Sequence, residues 1–165
     1  KDSLSSLKRY VYINYSCNPV EVIKNTCSSL NNIIEEHSVQ VSRNKYYDGE
    51  KGVLIRNYEL ADVLDNCIRN SIKALIGNEQ KEIETRVYRV APKICIDVID
   101  NGYGLNENEF EKVFESGYSG KASTGYGLFN SREVLKKYGG RIFVKFSRQS
   151  EKTVFTIELN EGILN

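Results

Sequence analysis

Hydrophobic and polar residues succeed one another along this 165-residue chain in two rhythms, one near 3.6 residues and one of 2. Residues 1–18 carry only a weak helical pattern through Leu4, Leu7 and Val11, and read as the tail of a preceding helical or linker region. From Pro19 the pattern sharpens. Asn18 is a suitable N-cap, Pro19 suits the first helical position, and Val22, Ile23, Thr26, Leu30, Ile33 and Ile34 recur at helical spacing to about Glu36. Val39-Gln40-Val41 alternates like a strand, and a polar turn around Asp48-Gly49 followed by Val53-Leu54-Ile55 predicts a hairpin. Two longer strand-like runs follow, Ile83 to Val90 and Lys93 to Ile99, joined near Ala91-Pro92. Residues 105–124 are polar and nearly aperiodic, long for a connection inside a compact domain. A helix over Phe129 to Tyr138 is stopped by Gly139-Gly140, and Ile142-Val144-Phe146 with Phe155-Ile157-Leu159 predicts a closing hairpin.

Between the two hairpins lies the most strongly patterned stretch, Leu60 to Leu75. At 100° per residue, Leu60, Leu64, Ile68, Ile72 and Leu75 share the side that an amphipathic helix buries. Asp62, Asn66, Asn70 and Lys73, spaced 4, 4 and 3, share nearly the opposite side. An ordinary surface helix carries Lys and Glu there, because the Asn amide competes with the backbone for hydrogen bonds. Two Asn one turn apart with a Lys beyond them suit a ligand that takes neutral oxygens and a cation together, as a magnesium ion carrying phosphates does. The same spacing also fits a solvated face that is merely amide-rich.

Composition narrows the class. With 40% hydrophobic and 27% charged residues the chain has the make-up of an ordinary globule. A net charge of +1 gives no reason to expect nucleic acid or an anionic membrane surface as partner, and no apolar run is long enough to cross a bilayer. Cys17, Cys27, Cys67 and Cys95 form no CxxC pair, and with His37 they offer no metal-ligand spacing; small buried thiols in a reducing cytoplasm are the expected reading. The chain starts at Lys1 and contains no Met, from which a fragment of a longer protein is expected.

Two glycine motifs frame the aperiodic segment. Asp100 ends a strand and is followed by Gly102 and Gly104. Glycines there let the backbone approach a flat ring while the carboxylate accepts from an exocyclic amine, which adenine offers and guanine replaces by a carbonyl. An ordinary Asp-Gly turn has the same residues. Gly125, Gly127 and Leu128 stand where the segment becomes a helix, a junction whose exposed N–H groups favour anions. Ser119, Lys121, Ser123 and Thr124, just before it, are donors able to close over phosphates or to remain solvated.

Taken in this order, with Asn70 thirty residues before Asp100 and Asp100 twenty-five before Gly125, the motifs closely resemble the ATP-binding domain shared by histidine kinases, gyrase, the Hsp90 chaperones and MutL, the Bergerat fold. The resemblance covers about residues 20–160. It implies an α+β two-layer sandwich, a mixed and mainly antiparallel sheet under three helices, over residues 19–165, with a lid at about 105–124. In its terms Asp62 to Lys73 resembles the Asn box, with Asn70 as magnesium ligand and Asn66 and Lys73 on the phosphate side. Asp100, Gly102 and Gly104 resemble the first glycine box, which holds adenine. Phe110 and Phe114 resemble the phenylalanine box that anchors the lid, and Gly125, Gly127 and Leu128 the second glycine box, with Lys121 in the lid. Ser71 stands where Ala is usual, and Tyr103 and Tyr126 are less common spacers.

Asn66 indicates the branch. Where ATP-hydrolysing members and anti-sigma-type serine kinases carry a Glu, a general base, this chain carries an amide that cannot take a proton. A histidine acceptor brings its own lone pair, so the resemblance points to a sensor histidine kinase, of the quorum-sensing type that the short lid and the segment Phe114 to Lys121 resemble, with Asn66 and Lys73 as catalytic residues and ATP and Mg2+ as cofactors. The implied partners are a histidine-bearing dimerisation domain and a response regulator, in a cytoplasmic domain of a membrane-anchored sensor. An anti-sigma-type serine/threonine kinase and a nucleotide-binding module without phosphotransfer are the alternatives. His37, at a helix end, reads as a residue placed against the dipole, with the phosphoacceptor upstream of Lys1.

Overall fold

In the computed structural model, which describes residues 3, 4, 6, 15–118 and 125–164, the alternating runs assemble into one sheet and the 3.6-residue runs pack on one face of it. The elements in order are β1 (Ser16–Cys17), α1 (Pro19–Ser29), α2 (Asn31–Glu36), β2 (Gln40–Tyr46), β3 (Lys51–Leu54), α3 (Asn57–Ala74), β4 (Glu82–Val90), β5 (Lys93–Asp100), α4 (Gly127–Lys137), β6 (Arg141–Ser147) and β7 (Lys152–Ile163). Two short 3-10 turns, Glu107–Glu109 and Lys112–Phe114, lie between β5 and α4.

The sheet runs β1-β3-β7-β5-β4-β2, with β6 beside the first half of β7. Only β2 is parallel to its neighbour; all other pairs are antiparallel. This is the mixed, mainly antiparallel sheet expected, and both the β4–β5 pair and the closing β6–β7 hairpin form.

Three local expectations change. The first helix breaks at Leu30, because Ser28 and Ser29 donate their hydroxyls to the carbonyls of Lys24 and Asn25 (3.0 Å each) and so loosen the backbone ladder there. The hairpin expected around Asp48-Gly49 does not form. β2 pairs with β4 at one edge, and residues 47–50 carry the chain across the end of the sheet to β3, beyond β7. Ser16–Cys17, expected in the tail, pair with Leu54 and Val53 and so belong to the sheet.

The core lies between the sheet and α3. Leu60, Leu64, Ile68, Ile72 and Leu75 are all buried, as the stripe predicted, against Ile94, Ile96 and Val98 on the inner face of β5. Burying such side chains is what fixes the helix over the sheet. Cys17, Cys27, Cys67 and Cys95 are free and buried. No helix among the described residues is long and apolar enough to cross a membrane. Ile68→Ala should destabilise the domain by about 2–5 kcal/mol in urea titration, and Asn70→Ala on the opposite face by less than about 1 kcal/mol.

Candidate functional site

The inward alternation of β5 continues one residue past its apolar run, so that Asp100 enters the core beneath the C-terminal half of α3. It is 1% exposed. Ser71 Oγ donates to its Oδ2 (2.7 Å) and the Gly102 N–H to its Oδ1 (3.0 Å). Burial pushes the Asp100 carboxyl from 3.8 to about 6, while these two donors pull the other way. Ser71 falls on the apolar stripe, seven residues after Leu64 and three after Ile68. A hydroxyl there must find a buried partner, and this was the sequence signal for its role.

The turn after Asp100 is pressed onto the end of α3. A Cβ on Gly102 would lie 2.7 Å from both the Ala74 side chain and its carbonyl oxygen, so no larger residue fits. Tyr103 N–H donates to Ala74 O (3.2 Å) and Asn78 Nδ2 to Asn101 O (2.7 Å), satisfying backbone carbonyls at the helix end and in the turn. Gly104 has φ +77° and faces the Phe146 ring.

Above the carboxylate opens a cavity of about 330 Å³. Of the residues expected at the site, Asn70, Asp100, Gly104 and Leu128 line it, together with Ala74, Tyr103, Glu109, Tyr118, Phe146 and Thr153. Asn66, Lys73, Gly102, Gly125 and Gly127 are not among its lining residues, and Asp62 is exposed at some distance along the helix. Lys121, with Ser119, Ser123 and Thr124, lies outside the described residues. Thr153 was missed because its place beside Asp100 comes only from the β5–β7 register.

Asn66 and Asn70 do different things. Asn66 Nδ2 donates to Gly127 O and to Ser131 Oγ (3.1 Å each), tying α3 to the first turn of α4. Gly127 leaves room for that contact, since a Cβ would stand 2.8 Å from Asn66 Oδ1 and would push the amide aside. Asn70 lines the cavity; its Nδ2 donates to Asn66 O (2.7 Å), and its Oδ1 is a neutral, hard oxygen of the kind a magnesium ion takes alongside water and phosphate.

The segment after β5 is packed through its described part. Asn106 and Glu109 form a reciprocal capping box, and Tyr118 OH donates to Glu109 Oε1 (3.1 Å). Phe114 is 1% exposed with the Arg132 guanidinium over its ring, and Phe110 packs against the core. Gly117 N–H donates to Gly125 O (2.8 Å), drawing the two ends of the intervening loop together.

This cavity, between α3 and the segment after β5 and floored by one buried carboxylate, sits in a fold of helices on a largely antiparallel sheet, and that fold belongs to a class of ATP-binding domains. Residues 56–163 match the histidine kinase-, DNA gyrase B- and HSP90-like ATPases, and the chain belongs to that family. Sensor protein CitS of Bacillus subtilis is 32% identical over 99 residues, 59% of this chain and 18% of CitS. Sensor protein kinase WalK of Staphylococcus aureus is 26% identical over 137 residues, 76% of this chain and 33% of WalK. The chain thus spans a third or less of the length of these curated relatives. Among solved structures the fold is shared by the catalytic domain of histidine kinase ThkA (TM-score 0.77, 22% identity, covering 88% of this chain and 95% of that one). It is shared too by the mycobacterial sensor histidine kinase MprB (TM-score 0.76, 20% identity, 92% and 100%).

The raised Asp100 pKa has a definite sign. The folded state keeps this proton to a higher pH than the unfolded chain, so its contribution is full below pH 3.8 and is lost as pH rises through about 6. About two units at 1.36 kcal/mol each amounts to roughly 3 kcal/mol. Urea titrations at pH 4 and pH 7 should show a loss of that order that is absent in Asp100→Asn.

Proposed function

We propose that this chain is the catalytic domain of a two-component sensor histidine kinase, which transfers the γ-phosphoryl group of ATP to a histidine on a dimerisation domain outside the present sequence. The observation that carries the reading is the buried Asp100 carboxylate on the cavity floor. Once ionised it has acceptor capacity beyond what Ser71 and Gly102 use, and can accept a hydrogen bond from the exocyclic amine of adenine. Guanine would set a carbonyl oxygen against it.

The remaining roles follow the chemistry of the donors. Asn70 Oδ1 is the group to hold Mg2+, which when bound neutralises charge on the phosphates. The N-terminus of α4 at Gly125, Gly127 and Leu128 offers backbone N–H groups to the phosphate chain. Lys73 would bring positive charge to the phosphates, Lys121 is assigned to them from the sequence alone, and Asn66, in the middle of α3, orients rather than deprotonates. With no side-chain base in that place, transfer depends on positioning a nucleophile that carries its own lone pair. A response regulator would take the phosphoryl group next, and the domain would sit in the cytoplasm behind a membrane-anchored sensor. Two comparisons lend support: ThkA has been solved in complex with the response regulator TrrA, and full-length ShkA in complex with AMPPNP.

Calorimetry should show magnesium-dependent ATP binding, with GTP weaker by at least the roughly 1–3 kcal/mol that a buried, unpaired acceptor costs, and no measurable ATP binding by Asp100→Ala. Equal affinity for ATP and GTP would remove the assigned role of Asp100.

The 165-residue chain alone should bind ATP without labelling itself. Joined to an upstream histidine-bearing helical region, it should give an acid-labile, hydroxylamine-sensitive phosphoprotein, unchanged by His37→Gln. Labelling on serine or threonine would support the serine-kinase reading, and binding without transfer in the full-length protein a regulatory module.

A further inference from the structure

Asp100 can read only the edge of a purine, and an edge contact leaves both faces of the ring to be covered. A base bound in water-excluding surroundings gains most from an aromatic face laid against it. On the α3 side the cavity wall at the level of Asp100 is Ala74, a methyl group held in place by Gly102. The aromatic rings around the cavity are not equivalent. Phe155 is buried in the core, Phe146 is pressed by the Gly104 backbone, and Tyr118 is tied through its hydroxyl to Glu109.

Tyr103 is different on each count. The residue is 48% exposed, and its hydroxyl has no hydrogen-bond partner among the described residues. Its backbone is nevertheless fixed. The N–H is bonded to Ala74 O, and the chain on either side is set by Gly102 against α3 and by Gly104 at φ +77°. Tyr103 lines both the cavity over Asp100 and a neighbouring one of about 460 Å³, and so stands between them. A large aromatic ring left half in water, on an anchored backbone three residues from the carboxylate, has one side available for a flat apolar surface.

We propose that Tyr103 is a purine-binding residue whose ring lies against the face of the base that Asp100 reads at its edge. The inference rests on the proposed nucleotide site and divides its labour. Stacking is nearly indifferent to which base is present, so Tyr103 contributes affinity without selectivity, whereas Asp100 contributes both.

The sequence makes the test direct, because it contains 11 Tyr and no Trp, so tyrosine emission is not masked. ATP should quench part of the tyrosine fluorescence of the wild-type chain. Tyr103→Phe should keep its ATP affinity within about twofold and lose a share of that quench, since the stack remains while the fluorophore is gone. Tyr103→Ala should bind ATP about 5- to 150-fold more weakly, with an unchanged urea midpoint for the ligand-free chain. An Ala variant within twofold of wild type, a Phe variant as weak as the Ala variant, or a weakened variant that also unfolds earlier would each overturn the proposal. A wild-type chain that binds no ATP would instead strike the proposed function itself.

Discussion

The hydrogen bond from Ser71 to Asp100 joins the longest helix to the strand beside β4 and β7 at a point that water does not reach. A carboxylate so placed without donors would carry a desolvation cost of several kcal/mol, and the two it has are supplied by different elements, α3 and the turn after β5. Their geometry therefore fixes the end of α3 relative to the end of β5. The contacts of Gly102, Tyr103 and Asn78 then stitch helix and turn together around the same spot. The cavity is the space left above this junction, and its polarity is inherited from it.

The other wall is set by α4. Asn66 ties the middle of α3 to Gly127 and Ser131 at the start of α4, while the Tyr138 hydroxyl at the far end of α4 bonds to Glu59 in the first turn of α3. With both ends secured, α4 can present its N-terminal turn toward the cavity in a fixed orientation. Polar residues on α3 thus divide between holding helices together and facing the ligand space, and residues one turn apart, Asn66 and Asn70, fall on opposite sides of that division.

That division was not legible in the sequence, and the reason is instructive. Periodicity places Asp62, Asn66, Asn70 and Lys73 on one face, but a face is broader than a site, and only Asn70 reaches the cavity. Local rhythm was reliable where partners are close in sequence: the α3 stripe, the β4–β5 pair and the β6–β7 hairpin need no distant information. It failed for β2 and β3, whose partners are decided by where the buried Val53 and the half-buried Val41 find an apolar surface, β7 for one and β4 for the other. Thr153 shows the same limit inside the site. Nothing in its own neighbourhood marks it, and it stands beside Asp100 only because two strands more than fifty residues apart share a register.

β7 has a consequence for how the molecule comes into being. It pairs with β3, β5 and β6, and it supplies Thr153 and Phe155 to the cavity, yet it follows all three of them along the chain and so leaves the ribosome after them. Until then β5 lacks one neighbour and β3 has only the two-residue β1 to pair with, so a nascent chain holds the Asp100 turn without the wall opposite it. Sheets closed by such distant pairings form late and cooperatively. The wall opposite the Asp100 turn therefore arrives only with β7, and the pocket is completed in one late step.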